Sequence, residues 1–67
     1  MLKIYAFVES ELETFRKNCN FTEDELLCFN LKAKNYSIVQ ISQQMNISEP
    51  QVSKLTSRIK KKILKVI

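Results

Sequence analysis

Three Ser/Thr-x-x-Glu/Gln pairs, Thr22/Glu25, Ser37/Gln40 and Ser48/Gln51, constrain the fold of this chain more than any other feature of its sequence. Each has the spacing of a capping box. The hydroxyl oxygen accepts from an early backbone N–H of a helix, and the Glu or Gln reaches back to the N–H of the capping residue. Losing one such cap costs about 1 kcal/mol, so the three pairs mark three helix starts. Pro50, the one proline, falls in the first turn after Ser48, where its missing N–H would have no helical partner anyway. The chain has no glycine. Hairpins and long irregular loops therefore lack their usual residues, and the expected fold class is all-α.

From Ser37 to Ile63 the sequence reads as two helices joined by a tight turn. The shorter covers about 38–45. The longer begins after Ser48 and can run to about Val66, roughly 18 residues or ~27 Å. The turn at Met45-Asn46-Ile47 needs one residue at positive φ, and Asn tolerates that conformation best after glycine. Ile38, Ile41, Met45, Ile47, Val52, Leu55 and Ile59 recur at spacings that put them on facing sides of the two helices, a helix-turn-helix pattern. Val52, Leu55, Ile59, Ile63 and Val66 form the expected buried stripe of the longer helix. Lys54, Arg58, Lys61 and Lys65 form a basic stripe on another side.

These residues carry a resemblance. From Phe21 to Ile63 the sequence resembles, without a gap, the DNA-binding domain of LuxR-type response regulators, and it is similar, less closely, to region 4 of bacterial sigma factors. Phe21, Thr22 and Glu25 look like that family's Leu-Thr-x-x-Glu opening. Ala33, Ser37, Ile41, Met45, Ile47, Ser48, Val52, Ile59, Lys62 and Ile63 fall on its familiar positions. Asn35 and Asn46 stand where glycine is common, and Ser42 where alanine is common. Ile38-Val39 replaces a polar Asn-Lys pair, and Ser53 a DNA-contacting Lys. The resemblance implies a tri-helical, LuxR/sigma region 4-like DNA-binding core over 21–67, preceded by an N-terminal helix within 1–20, in one four-helix domain spanning 1–67.

That N-terminal helix is expected from about Leu2 to Lys17. Met1, Tyr5, Val8, Leu12 and Phe15 make a heptad-like stripe, with Ile4 and Phe7 beside it. An apolar face this wide exceeds what one side of a small domain needs. Ile4, Tyr5, Phe7, Val8, Leu12 and Phe15 are therefore candidates for a homodimer contact, the alternative being that the wide face wraps the chain's own core. The second helix is expected at about 23–34, with Glu23, Asp24 and Glu25 complementing the dipole at its start. Cys28 lies on an apolar face and reads as a core residue, whereas Cys19 reads as an exposed loop residue. Two cysteines without histidine do not make a tetrahedral zinc site, so no metal and no cofactor are expected.

Charge divides the chain. Residues 1–25 carry six carboxylates against three bases, net −3. Residues 26–67 carry eight bases against Glu49 alone, net +7. A basic half on an acidic one points to an oriented molecule with one anion-seeking face. An α-helix fits the major groove of B-DNA. On the fourth helix the base-edge candidates are Glu49, Pro50, Gln51, Ser53, Lys54, Ser57 and Arg58. Ser37, Lys60, Lys61, Lys62 and Lys65 are the phosphate candidates. The expected function is a sequence-specific transcriptional regulator, with 49–66 as the recognition helix on double-stranded DNA, acting as a homodimer. A protein-interaction module is the alternative, either docking on RNA polymerase or serving a phage or mobile element. No membrane contact is expected, since the fourth helix lacks Trp or Phe anchors. With no signal peptide and no apolar span, the expected location is the cytoplasm. Without histidine, a nucleophile–base pair or a glycine loop, no catalytic residue is expected.

Overall fold

The computed structural model describes residues 3–67, and among them every regular element is helical. A single 3-10 turn, Ile4–Ala6, precedes α1 (Glu9–Asn18), α2 (Glu23–Ala33), α3 (Ile38–Met45) and α4 (Glu49–Val66). The last three start where the capping boxes put them. Thr22 accepts from Glu25 N–H at 3.2 Å and Ser37 from Gln40 N–H at 3.1 Å, with the return bonds at 2.9 Å in both cases. The Ser48/Gln51 box is looser, 3.4 Å in both directions.

Asparagine does the work of glycine at both tight turns. Asn35 has φ 63° and Asn46 φ 56°. After α2, Tyr36 N–H donates to Leu31 C=O and Asn35 N–H to Lys32 C=O, the paired bonds of a Schellman motif. After α3, Ile47 N–H donates to Ser42 C=O at 3.0 Å, which turns the chain directly into the Ser48 cap.

The core forms where α2, α3 and α4 converge. Cys28, Phe29, Ile41, Val52, Ile59 and Ile63 are completely buried, and Leu55 nearly so. Val66, expected in the same stripe, is the last residue of α4 and is exposed. Arg16 fastens α1 to α2. Its guanidinium holds Glu9 at 2.9 Å, Glu13 at 2.6 Å and Asn30 Oδ1 at 3.0 Å, and it lies over the Phe29 ring. Glu9 first, and Glu13 with it, raise the Arg16 pKa further above its ordinary value against the opposing effect of burial.

The N-terminal region departs from expectation. In place of one helix from Leu2 to Lys17, the chain is extended at Phe7 and Val8 (ψ 145° and 163°), and α1 starts only at Glu9. Met1 and Leu2 lie outside the described residues. The break has a packing cause: it folds the 3-10 turn back against α2, so that Ile4 is buried, and it sets the Phe7 ring edge-on to Phe15 at 4.9 Å. In an unbroken helix, residues 7 and 15 would stand about 12 Å apart along the axis. The new start is stabilised by Glu11, whose carboxylate accepts from Val8 N–H at 3.1 Å, with Glu9 and Glu11 in the first turn and Arg16 and Lys17 in the last.

Candidate nucleic-acid interface

All seven base-edge candidates, Glu49, Pro50, Gln51, Ser53, Lys54, Ser57 and Arg58, are exposed on α4. Helical geometry divides the face. Pro50, Lys54 and Lys61 lie along the crest opposite the buried Val52-Leu55-Ile59-Ile63 stripe, with Gln51, Arg58 and Lys65 on one flank and Ser53, Ser57 and Lys60 on the other. Glu49 is the one carboxylate in the helix, against six basic residues. Gln51, Lys54 and Arg58 line a shallow groove of about 300 Å³ whose opposite wall includes Asp24 of α2 and Ile47. Gln51 already accepts from Ser48 N–H, and a base edge would compete with that cap.

Of the phosphate candidates, Lys61 and Lys65 are exposed and Lys60 is half-buried. Ser37 is exposed, with its oxygen engaged by the N–H of Gln40. Lys62 is not available. Its ammonium donates to the buried Glu25 carboxylate and, at 2.7 Å, to Asn20 C=O, so it ties α4 to the start of α2. The cause is burial: Glu25 is only 2% exposed, and a carboxylate so far from water requires a cation. Burial pushes the Glu25 carboxyl up, but Lys62 and the Thr22 cap outweigh it and hold its pKa below the ordinary carboxylate value.

The dimer candidates need a larger correction. Ile4, Leu12 and Phe15 are buried in the chain's own core and Phe7 packs against it, so they are not available to a second copy. Only Tyr5 and Val8 are well exposed, at 46% and 61%. Cys19, expected at the surface, is 5% exposed. Both cysteines are free, and burial raises both thiol pKa values. Cys28 Sγ lies 3.8 Å from Thr56 Oγ1. Among the described residues, no group of three or more Cys, Asp or Glu side chains comes together to hold a metal ion. Nor is any helix among them long and apolar enough to cross a membrane.

Two lysines overlooked in the sequence, Lys3 and Lys32, line a cleft together with Ser53, Ser57 and Lys60. They belong to three separate elements, so no single-helix pattern could have grouped them. No protein-family model, curated protein or solved structure gives a significant match to this chain.

Proposed function

We propose that the chain is a small DNA-binding regulator of the helix-turn-helix type, with α4 as the helix that enters the major groove. The supporting observation is the exposed face of α4. Lys54, Arg58, Lys61 and Lys65 stand clear of the core on a helix whose only carboxylate is Glu49 at its start. The eight-residue α3, the left-handed Asn46 and the Ser48 cap support the same motif, since they deliver α4 with its N-terminal half exposed. Lys54 and Arg58 are suited to guanine O6 and N7, and Gln51 to adenine. Lys60, Lys61 and Lys65 are suited to phosphate. One helix reads few base pairs, so a specific site would engage two copies. Ile4 of the 3-10 turn and Leu12 and Phe15 of α1 are buried in the chain's own core, which directs that contact to another face.

The test is fluorescence anisotropy of a labelled pool of random duplex DNA across a salt series. Micromolar binding at low salt, with log K falling against log salt at a slope of about −3 for the three phosphate lysines, is the expected result. Absence of binding at low ionic strength would reject it.

A second proposal, docking on a protein such as RNA polymerase, is favoured by Ile38 and Val39. These apolar residues open α3 and are 36% and 49% exposed, where the resembled family carries polar residues. Replacing both with Asn and Lys would abolish partner capture while sparing DNA binding. Equal partner capture by the variant would dismiss this docking.

A further inference from the structure

We propose that the cleft between the N-terminal 3-10 turn, the C-terminal end of α2 and the Ser53–Lys60 flank of α4 is a binding site for a phosphate group. Its volume is about 480 Å³, within the usual range of small-ligand sites of roughly 300–1,000 Å³. Lys3, Lys32 and Lys60 line it from three elements, and no carboxylate does. Among the described residues the ion pairs are Arg16–Glu9, Arg16–Glu13 and Lys62–Glu25, so the three cleft lysines have no acidic partner.

Three lysines lining one cleft make it attractive to an anion, and the attraction is screened less where the side chains are partly withdrawn from water. Lys32 and Lys60 are both half-buried. A polyvalent anion could take hydrogen bonds from all three ammonium groups. Ser53 and Ser57 add hydroxyl donors to the lining. Phosphate fits better than a single carboxylate, because its oxygens can accept from several separated donors at once. A DNA strand passing the α4 crest is the nearest source of such a group, and a free phosphate compound is the other. The phosphate chemistry of the cleft does not depend on which one supplies it.

The experiment uses Lys3→Gln/Lys32→Gln, two residues outside α4, with the exposed Lys17→Gln on α1 as a control and Lys3→Gln alone as a mild variant at an exposed position. Labelled duplex DNA is titrated in one arm. In the other, pyrophosphate is titrated while the Ser53, Ser57 and Lys60 amide signals are followed by NMR. If the strand supplies the phosphate, the double variant weakens duplex binding about tenfold at low salt. It also lowers the salt slope by ~0.9 per lysine, with Lys17→Gln unchanged. If a free compound supplies it, pyrophosphate shifts the three amides in the wild type and not in the double variant. Unchanged duplex affinity together with unmoved amides would overturn the site. Duplex binding lost in Lys54→Gln/Arg58→Gln under those conditions would leave the proposed function intact. A wild type that ignores duplex but responds to pyrophosphate would do the reverse.

Discussion

Lys62, one turn from the end of the basic helix, donates its ammonium to the carboxylate of Glu25, a side chain almost wholly withdrawn from solvent in the first turn of α2. A residue expected to contact DNA phosphate thus joins two helices. Glu25 also closes the Thr22 cap at 2.9 Å, so one carboxylate holds a helix start and a helix–helix contact together.

Removing the cation should be costly. Lys62→Met leaves a buried carboxylate without its counter-charge and should lower stability by about 2–4 kcal/mol, since breaking a buried pair strands the remaining charge. Urea denaturation measures this. Loss below about 0.5 kcal/mol would mean the pair contributes little.

The same pair sets an acid limit. Because the folded pKa of Glu25 is held below its ordinary value, its contribution is fully present above the unfolded glutamate pKa of ~4.3. That contribution disappears as pH falls through the lower folded value. Stability followed between pH 7 and 3 should drop in that window in the wild type. The drop should be shallower in Glu25→Gln, which has no carboxyl to protonate at this site.

Asn35 and Asn46 hold left-handed backbone without glycine's freedom. A left-handed conformation costs a residue with a Cβ roughly 1–2 kcal/mol, less for Asn. Asn46→Gly should therefore be neutral or stabilising by a few tenths of a kcal/mol, whereas Asn46→Ala should destabilise by about 1 kcal/mol. Thermal melts of the two variants separate these outcomes, and equal melting temperatures would contradict them.

Asp24 shares its groove with Lys54 and Arg58 and places a negative charge beside the proposed DNA surface. Asp24→Asn should tighten duplex binding by about two- to fivefold at low salt, the scale of one exposed charge interaction, and the gain should vanish at high salt. Weaker binding by the variant would place the DNA on another face.

Helix boundaries from Thr22 onward were legible because caps and turn residues act locally: each box and each asparagine is decided by neighbours a few positions away. The N-terminal region was not legible for the opposite reason. A stripe of Tyr5, Val8, Leu12 and Phe15 fits a helix in isolation, yet burying Ile4 against α2 and Phe7 against Phe15 requires the chain to break at Phe7-Val8. The local signal for that break was the run of Glu9, Glu11 and Glu13, which suits a helix start. The exposed basic face of α4 followed from helical spacing. The capture of Lys62 by Glu25, the burial of Cys19 and the meeting of Lys3 with Lys32 and Lys60 depend on contacts between elements, which no one-dimensional pattern encodes.

The most direct measurement compares wild type with Lys54→Gln/Arg58→Gln in anisotropy titrations of labelled duplex at fixed low salt. Helical circular dichroism should be unchanged, since both side chains are exposed. With α4 as the DNA-contacting helix, the double variant should bind at least about tenfold more weakly. Identical affinity in the two proteins would contradict the assignment of α4 to DNA.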